Sequence, residues 1–424
     1  MIKFLLKGLL RDRSRSVLPI IVVALGVALT VFFGGFLEGF MNDMISQNAR
    51  FETGHVKIMT RAYEKNKDQL PLDLALLGVD SLVENLESTY PEVDWVKRIR
   101  FGGLLDVPDK SGETKGQGTA TGLALELFSE ESSEINRMEL KDALVSGTLP
   151  KQAGEALVSD EFAKKLNVQL GDEVTYFGST MNGSMAFRNF TVSGTVRFGV
   201  SAMDKGAIVI DISDAQQVLD MENGTSEILG YLPTGVYDNE LATQIMEQFN
   251  QNYAKSDDEF APVMVRLRDQ NNLASMLDYV GIASTLFIGI FVFAMSIVLW
   301  NTGLIAGLRR YKEFGIRLAL GESKGEIYRA MISEAVLIGS VGSLLGTAVG
   351  LGLTYYMQVV GLDIGQYLDN AGVMMPSVMR AKVTPILFVI GFIPGLLAMV
   401  LGNMLAGIGI YKRETATLFK ELEV

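Results

Sequence analysis

The chain holds 424 residues, enough for two or three domains, and is 48% hydrophobic but only 20% charged. With 44 glycines and a positive mean hydropathy, it is too apolar for an ordinary soluble protein and suited to one with transmembrane helices. The lack of cysteine excludes disulfides, thiolate nucleophiles and thiolate metal sites, and a net charge of −12 argues against nucleic acid as a partner.

Residues 1–16 come first. Ile2, Leu5, Leu6 and Leu9 would share one helical face, and Lys3, Lys7 and Arg11 another. The segment reads as an interfacial helix on the inner leaflet, or as the cytoplasmic end of the first span. Four uncharged apolar runs follow, at Ser16–Leu37, Tyr279–Leu308, Ala335–Leu362 and Val383–Tyr411. Each exceeds the ~20 helical residues that cross a bilayer core. After the first run, "EGFMNDMISQNARFETG" offers no small-x-small cleavage site, so the run reads as a span and not as a removed signal.

The predicted fold class is an α-helical membrane protein with four transmembrane helices and a large α/β extracytoplasmic domain inserted between helices 1 and 2. The spans are set at 17–40, 276–308, 331–362 and 383–411, and the domain at 41–275. Residues 309–330 form a cytoplasmic loop, 363–382 a short outside loop and 412–424 a cytoplasmic tail. Orientation follows from lysine and arginine in the short segments. Lys3, Lys7, Arg11, Arg13 and Arg15 precede the first span, six basic residues lie within 308–329, and Lys412, Arg413 and Lys420 close the chain. Both ends and the 308–329 island are therefore expected in the cytoplasm, with the bacterial inner membrane as the location.

Within the outside segment, "TGHVKIM" reads as a strand, and "DSLVENLES" as a helix capped by Asp80 with Leu82, Val83 and Leu86 on one face. "DWVKRIRFGGLLDV" and "RNFTVSGTVRF" read as strands. "GEALVSDEFAKKLNVQLGDEVTYFG" reads as strand, capped helix, turn at Gly171–Asp172 and strand. "KGAIVIDISDAQQVLDM" is strand then helix; "EILGYLP", a helix near 238–251 and "PVMVRLR" finish the domain. The glycine- and polar-rich stretches 109–122 and 178–189 look like mobile loops or hairpin tips. No catalytic constellation emerges. His55 is the only histidine, so a structural or solvated role is expected of it. "GQGTATG" has no lysine or helix start placed to cradle a phosphate. Asn182-Gly-Ser and Asn223-Gly-Thr read first as turns.

Among the spans, Gly342, Gly346 and Gly350 make a glycine stripe on the third. Such stripes let helices approach closely. This one serves either a dimer or bundle seam that slides, or ordinary packing inside one subunit. In the fourth span Pro394 should introduce a kink, and Pro385 should mark the first turn.

The island between the second and third spans reads "RRYKEFGIRLALGESKGEI". With one span, a large outside domain and three further spans, it resembles the MacB/FtsX-like ABC transporter permeases. Their motif R/K-x-x-E-x-G-x-x-x-A-x-G is matched by Arg310, Glu313, Gly315, Ala319 and Gly321. "SGTLPKQAGEALVSDEFAKKLNVQLGDEVTYFG" is similar to the periplasmic core domain of that family, and "TATLFKEL" faintly to its C-terminal end, without the usual proline. The resemblance implies that the island is a coupling helix seated on a separate ATPase. Arg310, Glu313, Phe314, Gly315, Arg317, Ala319 and Gly321 would make that contact, with Glu313 fixing register. G-x-x-x-x-G-K-[ST] occurs nowhere in the sequence, so no cofactor is expected on this chain, and ATP and magnesium are expected on the partner.

Among these permeases the chain looks most like LolC and LolE of the lipoprotein-releasing system. That implies two ATPase copies, a second permease that is identical or paralogous, and a periplasmic carrier or adaptor. The substrate would be a lipoprotein or another lipid-anchored or amphipathic molecule, moved by mechanotransmission with no enzyme activity in this chain. A MacB-like exporter of peptides, antibiotics or siderophores and an FtsX-like regulator of cell-wall hydrolases are the alternatives.

Overall fold

The computed structural model describes residues 13–109, 111–129, 132–309, 316–364 and 377–412. It divides into two compact units. One comprises Met1–Met41, Leu277–Leu362 and Met379–Val424, and the other Asn42–Met276 and Asp363–Val378.

Four helices, Arg13–Asn48, Leu273–Arg309, Lys324–Val360 and Leu387–Lys412, are each long and apolar enough to cross a membrane. Residues 1–12, most of the expected interfacial helix, lie outside the described residues, and Arg13–Ser16 continue directly into the first long helix. In the span unit this first helix is the central one. Val23, Val27 and Val31, spaced by one turn, have no exposed surface. Gly391 and Gly395 of the fourth helix lie against Val31 and Val27, where a Cβ would come within 2.3 Å of either valine. Pro385 sits in the turn just before the fourth helix and Pro394 inside it. The second helix is largely exposed and meets the first at an edge-to-face contact of Phe33 with Phe287, 5.3 Å between ring centres.

The outside unit contains β1 (Val56–Thr60), β2 (Leu76–Leu77), β3 (Asp94–Pro108), β4 (Thr114–Leu125), β5 (Leu144–Gly147), β6 (Glu155–Ser159), β7 (Glu173–Ser179), β8 (Met185–Val196), β9 (Ala207–Asp211), β10 (Gly224–Thr225), β11 (Glu227–Tyr231) and β12 (Pro262–Arg266). Six of them close on themselves. The ring runs β3–β4–β9–β6–β8–β7 and returns to β3, with β4/β9 and β6/β8 parallel and the other pairs antiparallel. Closure leaves no free edge around the ring. Alternate residues from every strand point inward, among them Phe101, Leu105, Ala120, Val158, Tyr176, Phe190 and Ile208. Helices Asp160–Leu166 and Ile212–Val218 add Phe162, Leu166 and Ala215 to the same core.

β3 belongs to two lobes. Its first five residues pair with β11, and from Ile99 onward it pairs with β4. The order β12–β1–β11–β3 makes the second lobe. Helices Val79–Thr89 and Asn239–Tyr253 cover it, packing Leu86, Ile245 and Phe249 on Val56, Ile58 and Trp95.

Two expectations need correction. Residues 114–122 are not a mobile loop: they are the first part of β4. The glycines of "GQGTATG" leave space for neighbouring rings, because a Cβ at Gly118 would lie 2.7 Å from Phe162 and one at Gly122 2.1 Å from Phe101. Asp80 is not a helix cap. The helix starts at Val79 after Gly78 in the left-handed region (φ 65°), and the Asp80 amide donates to Asn223 Oδ1 at 3.2 Å. The β7–β8 hairpin does turn where Asn182–Gly183 signalled it, with Gly183 at φ 77°.

The short strands β13 (Leu362–Asp363) and β14 (Val378–Met379) pair with each other, and the Ser377 amide donates to the Gly199 carbonyl at 2.9 Å.

Candidate functional site

Arg310, Glu313, Phe314 and Gly315 of the island lie outside the described residues. Tyr311 and Lys312 lie outside them as well, whereas Arg317, Ala319 and Gly321 fall within them. Residues 316–319 form one helical turn, and the chain then reverses into the third long helix. Gly321 adopts φ 96°, a left-handed conformation that costs a side-chain-bearing residue strain. The Gly321 amide donates to the Leu318 carbonyl at 3.1 Å and the Glu322 amide to the Arg317 carbonyl at 3.0 Å. This pair of bonds is a Schellman motif, and it satisfies carbonyls that the helical turn leaves free.

Immediately after it, Ser323 and Glu326 cap the third helix reciprocally. The Glu326 amide donates to Ser323 Oγ at 3.3 Å, and the Ser323 amide donates to Glu326 Oε2 at 2.8 Å. Leu318 packs onto buried Ile327 and Met331, so the turn is fastened to the start of the third span. Ile316 and Leu320, four residues apart, remain 62% and 80% exposed. Arg317 is half-buried and Ala319 exposed. The site is thus an elbow braced by these bonds and by Leu318, with two aliphatic side chains exposed among the described residues.

From the elbow the third span leads into the glycine stripe. A Cβ at Gly342 would lie 2.8 Å from Val23, one at Gly346 2.4 Å from the Ala24 carbonyl, and one at Gly350 2.7 Å from Val31. Gly342, Gly346 and Gly350 therefore form a seam with the first helix of the same chain, so the third span lies directly on the central helix. Ser343 and Thr347 are buried beside the stripe, and neither hydroxyl has a hydrogen-bond partner among the described residues.

In the outside unit, no group of three or more metal-binding side chains occurs among the described residues. His55 is buried, and its Nδ1 accepts the Leu232 amide at 3.0 Å. Burial, helped by the Arg137 charge, pushes its pKa down to about 4. At neutral pH it is therefore an uncharged structural acceptor. Apolar side chains are exposed along the β7–β8 hairpin, where Met185 and Phe187 are 79% and 71% accessible.

The profile of the MacB-like periplasmic core domain matches residues 16–277, and that of the FtsX-like permease C-terminal domain matches residues 285–415. The chain belongs to the MacB/FtsX-like ABC permeases. Curated relatives of this permease include the pyoverdine export ATP-binding/permease protein PvdT of Pseudomonas syringae pv. syringae, 22% identical over 354 residues, 81% of this chain and 50% of that protein. The macrolide export ATP-binding/permease protein MacB of Burkholderia lata is 22% identical over 413 residues, 91% of this chain and 54% of the relative. LolC, a lipoprotein-releasing system transmembrane protein of Xylella fastidiosa, is 24% identical over 234 residues, 54% of each chain. The permease spans about half the length of these relatives. Among solved structures, the periplasmic region of MacB from Actinobacillus actinomycetemcomitans aligns at 13% identity and a TM-score of 0.35, over 52% of this chain and 92% of that one.

Sequence reasoning found the island by its motif and by apolar positions such as Leu318, but missed the packing of Leu318 and the roles of Ser323 and Glu326. The signal for the last two was present, since Ser-x-x-Glu ahead of an apolar run is a capping box. Leu318 needed the fold, because its contacts lie across a chain reversal.

Proposed function

We propose that this permease works by mechanotransmission: a separate ATPase subunit moves the 308–329 elbow, and the spans carry that motion to the periplasmic domain. The observation that carries this reading is the elbow itself. A coupling device must be stiff on the membrane side and sticky on the other. Leu318, the Schellman turn and the Ser323–Glu326 cap give stiffness, and exposed Ile316 and Leu320 give an apolar contact. Both chain ends and the elbow would then face the cytoplasm, as the basic residues favour. Glu313, Arg310, Phe314 and Gly315 complete the contact in this reading, with Glu313 setting register. The exposed second helix would meet lipid and a second permease, identical or paralogous.

The substrate class in this reading is a lipoprotein or another lipid-anchored or amphipathic molecule. It would be drawn from the outer leaflet of the inner membrane and passed to a periplasmic carrier. The exposed Met185 and Phe187 edge suits transient contact with such a carrier. One observation favours the exporter reading: PvdT and MacB, named for export, align over more of the chain than LolC does.

Two experiments test these points. In the reconstituted complex, Glu313→Lys should abolish substrate-stimulated ATP hydrolysis while assembly persists; unchanged stimulation would remove the island's role. Photo-crosslinkers placed through residues 28–40 should capture lipoprotein acyl chains. Capture of peptide or siderophore substrates alone, from several positions, would establish export instead.

A further inference from the structure

The outside unit contains a buried charged cluster that the coupling elbow does not use. The first long helix ends at Asn48, and one π-helical turn, Ala49–Thr53, leads to Gly54 and β1. The carbonyls at this end need donors, and the negative end of the helix favours cations. Tyr231 Oη donates to the Ala49 carbonyl at 2.9 Å, and Arg98 Nη1 donates to the Arg50 carbonyl at 2.6 Å. Arg98 has no exposed surface. Its Nε and Nη2 form a two-pronged pair with Glu134, equally buried, at 2.7 and 3.1 Å. Glu134 also accepts from Arg137 at 2.7 Å, and the Arg137 guanidinium lies 3.8 Å over the Tyr231 ring. Burial alone would lower the Arg98 pKa, but the Glu134 carboxylate overrides it and the guanidinium is held more firmly charged than usual.

Such a cluster is a poor way to gain stability, because desolvating two charges costs about as much as their attraction returns. What it gives is direction: a guanidinium fork fixes angle as well as distance. Its place in the fold is specific. Arg98 is the last residue of β3 paired with β11, and Ile99 the first paired with β4. The Arg98 carbonyl is itself held there by Thr225 Oγ1 at 2.7 Å and Ser226 Oγ at 3.0 Å. The first residues after the first helix are therefore tied to the strand position where the two lobes of the domain divide.

We infer that Arg98 and Glu134 are positioning residues for force transmission: they lock the first residues after the first helix, Ala49 and Arg50, to β3, so that a displacement of the helix arrives at the junction of the two lobes instead of being lost in the remainder of the turn to Gly54. This inference rests on the mechanotransmission reading.

The natural absence of cysteine makes paired spin labels unambiguous. Labels at Ser46→Cys and Glu173→Cys, both exposed, report the helix end against the barrel; labels at Leu29→Cys and Ile393→Cys report movement between spans. Electron-resonance distances are measured in the complex with its ATPase, with and without ATP, in the native sequence and in Arg98→Met/Glu134→Leu, which removes both charges together. ATP should shift the 29–393 distance in both proteins. The 46–173 distribution should stay narrow in the native protein and broaden on ATP binding in the double variant, with ATP hydrolysis retained. Should the double variant not fold, Glu134→Gln keeps the shape without the charge and should broaden by a smaller margin. A distribution as narrow as native in the variant, with 29–393 still shifting, overturns the joint and leaves the wider reading standing. No ATP-driven shift at 29–393 overturns both.

Discussion

Phe101 and Gly122 are paired across β3 and β4, and the ring of the first fills the volume that a side chain on the second would need. Gly122→Ala should therefore overpack the barrel. The expected loss is about 1–3 kcal/mol, seen as a lower urea midpoint for the full chain in detergent. Gly102→Ala, on the same pair of strands, meets nothing within 4 Å and should leave the midpoint nearly unchanged.

The span seam allows a matching comparison on one helix. A side chain at Gly346 would collide with the Ala24 carbonyl and Val27, whereas Gly352 faces open space. Gly346→Leu should lower the melting temperature of the purified permease markedly, and Gly352→Leu should not. Equal effects from the two would contradict the seam between the first and third spans.

How far the sequence could be read depended on the range of the interactions. Spans, and the strands with alternating or continuous apolar patterns, declare themselves within 20 residues. Helix starts at Asp211 and Asp238 follow local capping rules, their carboxylates accepting from Ser213 and from Glu240 and Leu241. The β3–β7 closure does not, because it joins residues about 70 positions apart in sequence. "GQGTATG" misled for a related reason: glycine favours loops locally, but here it serves rings on distant strands and helices. Arg98 and Glu134, separated by 36 residues, left no periodic trace. At the island the motif marked the place, and the geometry that stiffens it became visible only through Leu318 and the reversal at Gly321.

His55 gives a pH prediction. Its folded pKa is about 4, against 6.5 for the free side chain. The unfolded chain therefore binds a proton that the folded one refuses as pH falls from 6.5 to 4. Stability from this residue is present above pH 6.5 and is lost as pH drops, by up to about 3 kcal/mol at ~1.4 kcal/mol per pKa unit. Melting curves should show a steeper loss between pH 7 and 4 in the native chain than in His55→Gln. Parallel curves would show that the imidazole titrates normally in the fold.

The elbow can be loosened without altering Glu313, Ile316 or Leu320. Gly321→Ala places a Cβ in open space but strains the left-handed backbone, and Ser323→Ala removes a cap; each should cost about 1 kcal/mol locally. The two together should reduce the stimulation of ATP hydrolysis by substrate while the unfolding of the outside domain stays unchanged. Full stimulation in the double variant would mean that stiffness at 318–326 is not needed.

The side of the membrane on which the elbow lies decides most directly whether an ATP-hydrolysing partner can drive this permease. Leu320→Cys, on the most exposed aliphatic position of the elbow, can be challenged in intact spheroplasts with a membrane-impermeant maleimide, with Glu173→Cys as the outside control. The cysteine at 320 should stay unlabelled until the membrane is opened, and then be protected when the ATPase is bound, while the one at 173 reacts at once. Labelling at 320 in sealed cells would place the elbow outside and contradict the coupling mechanism.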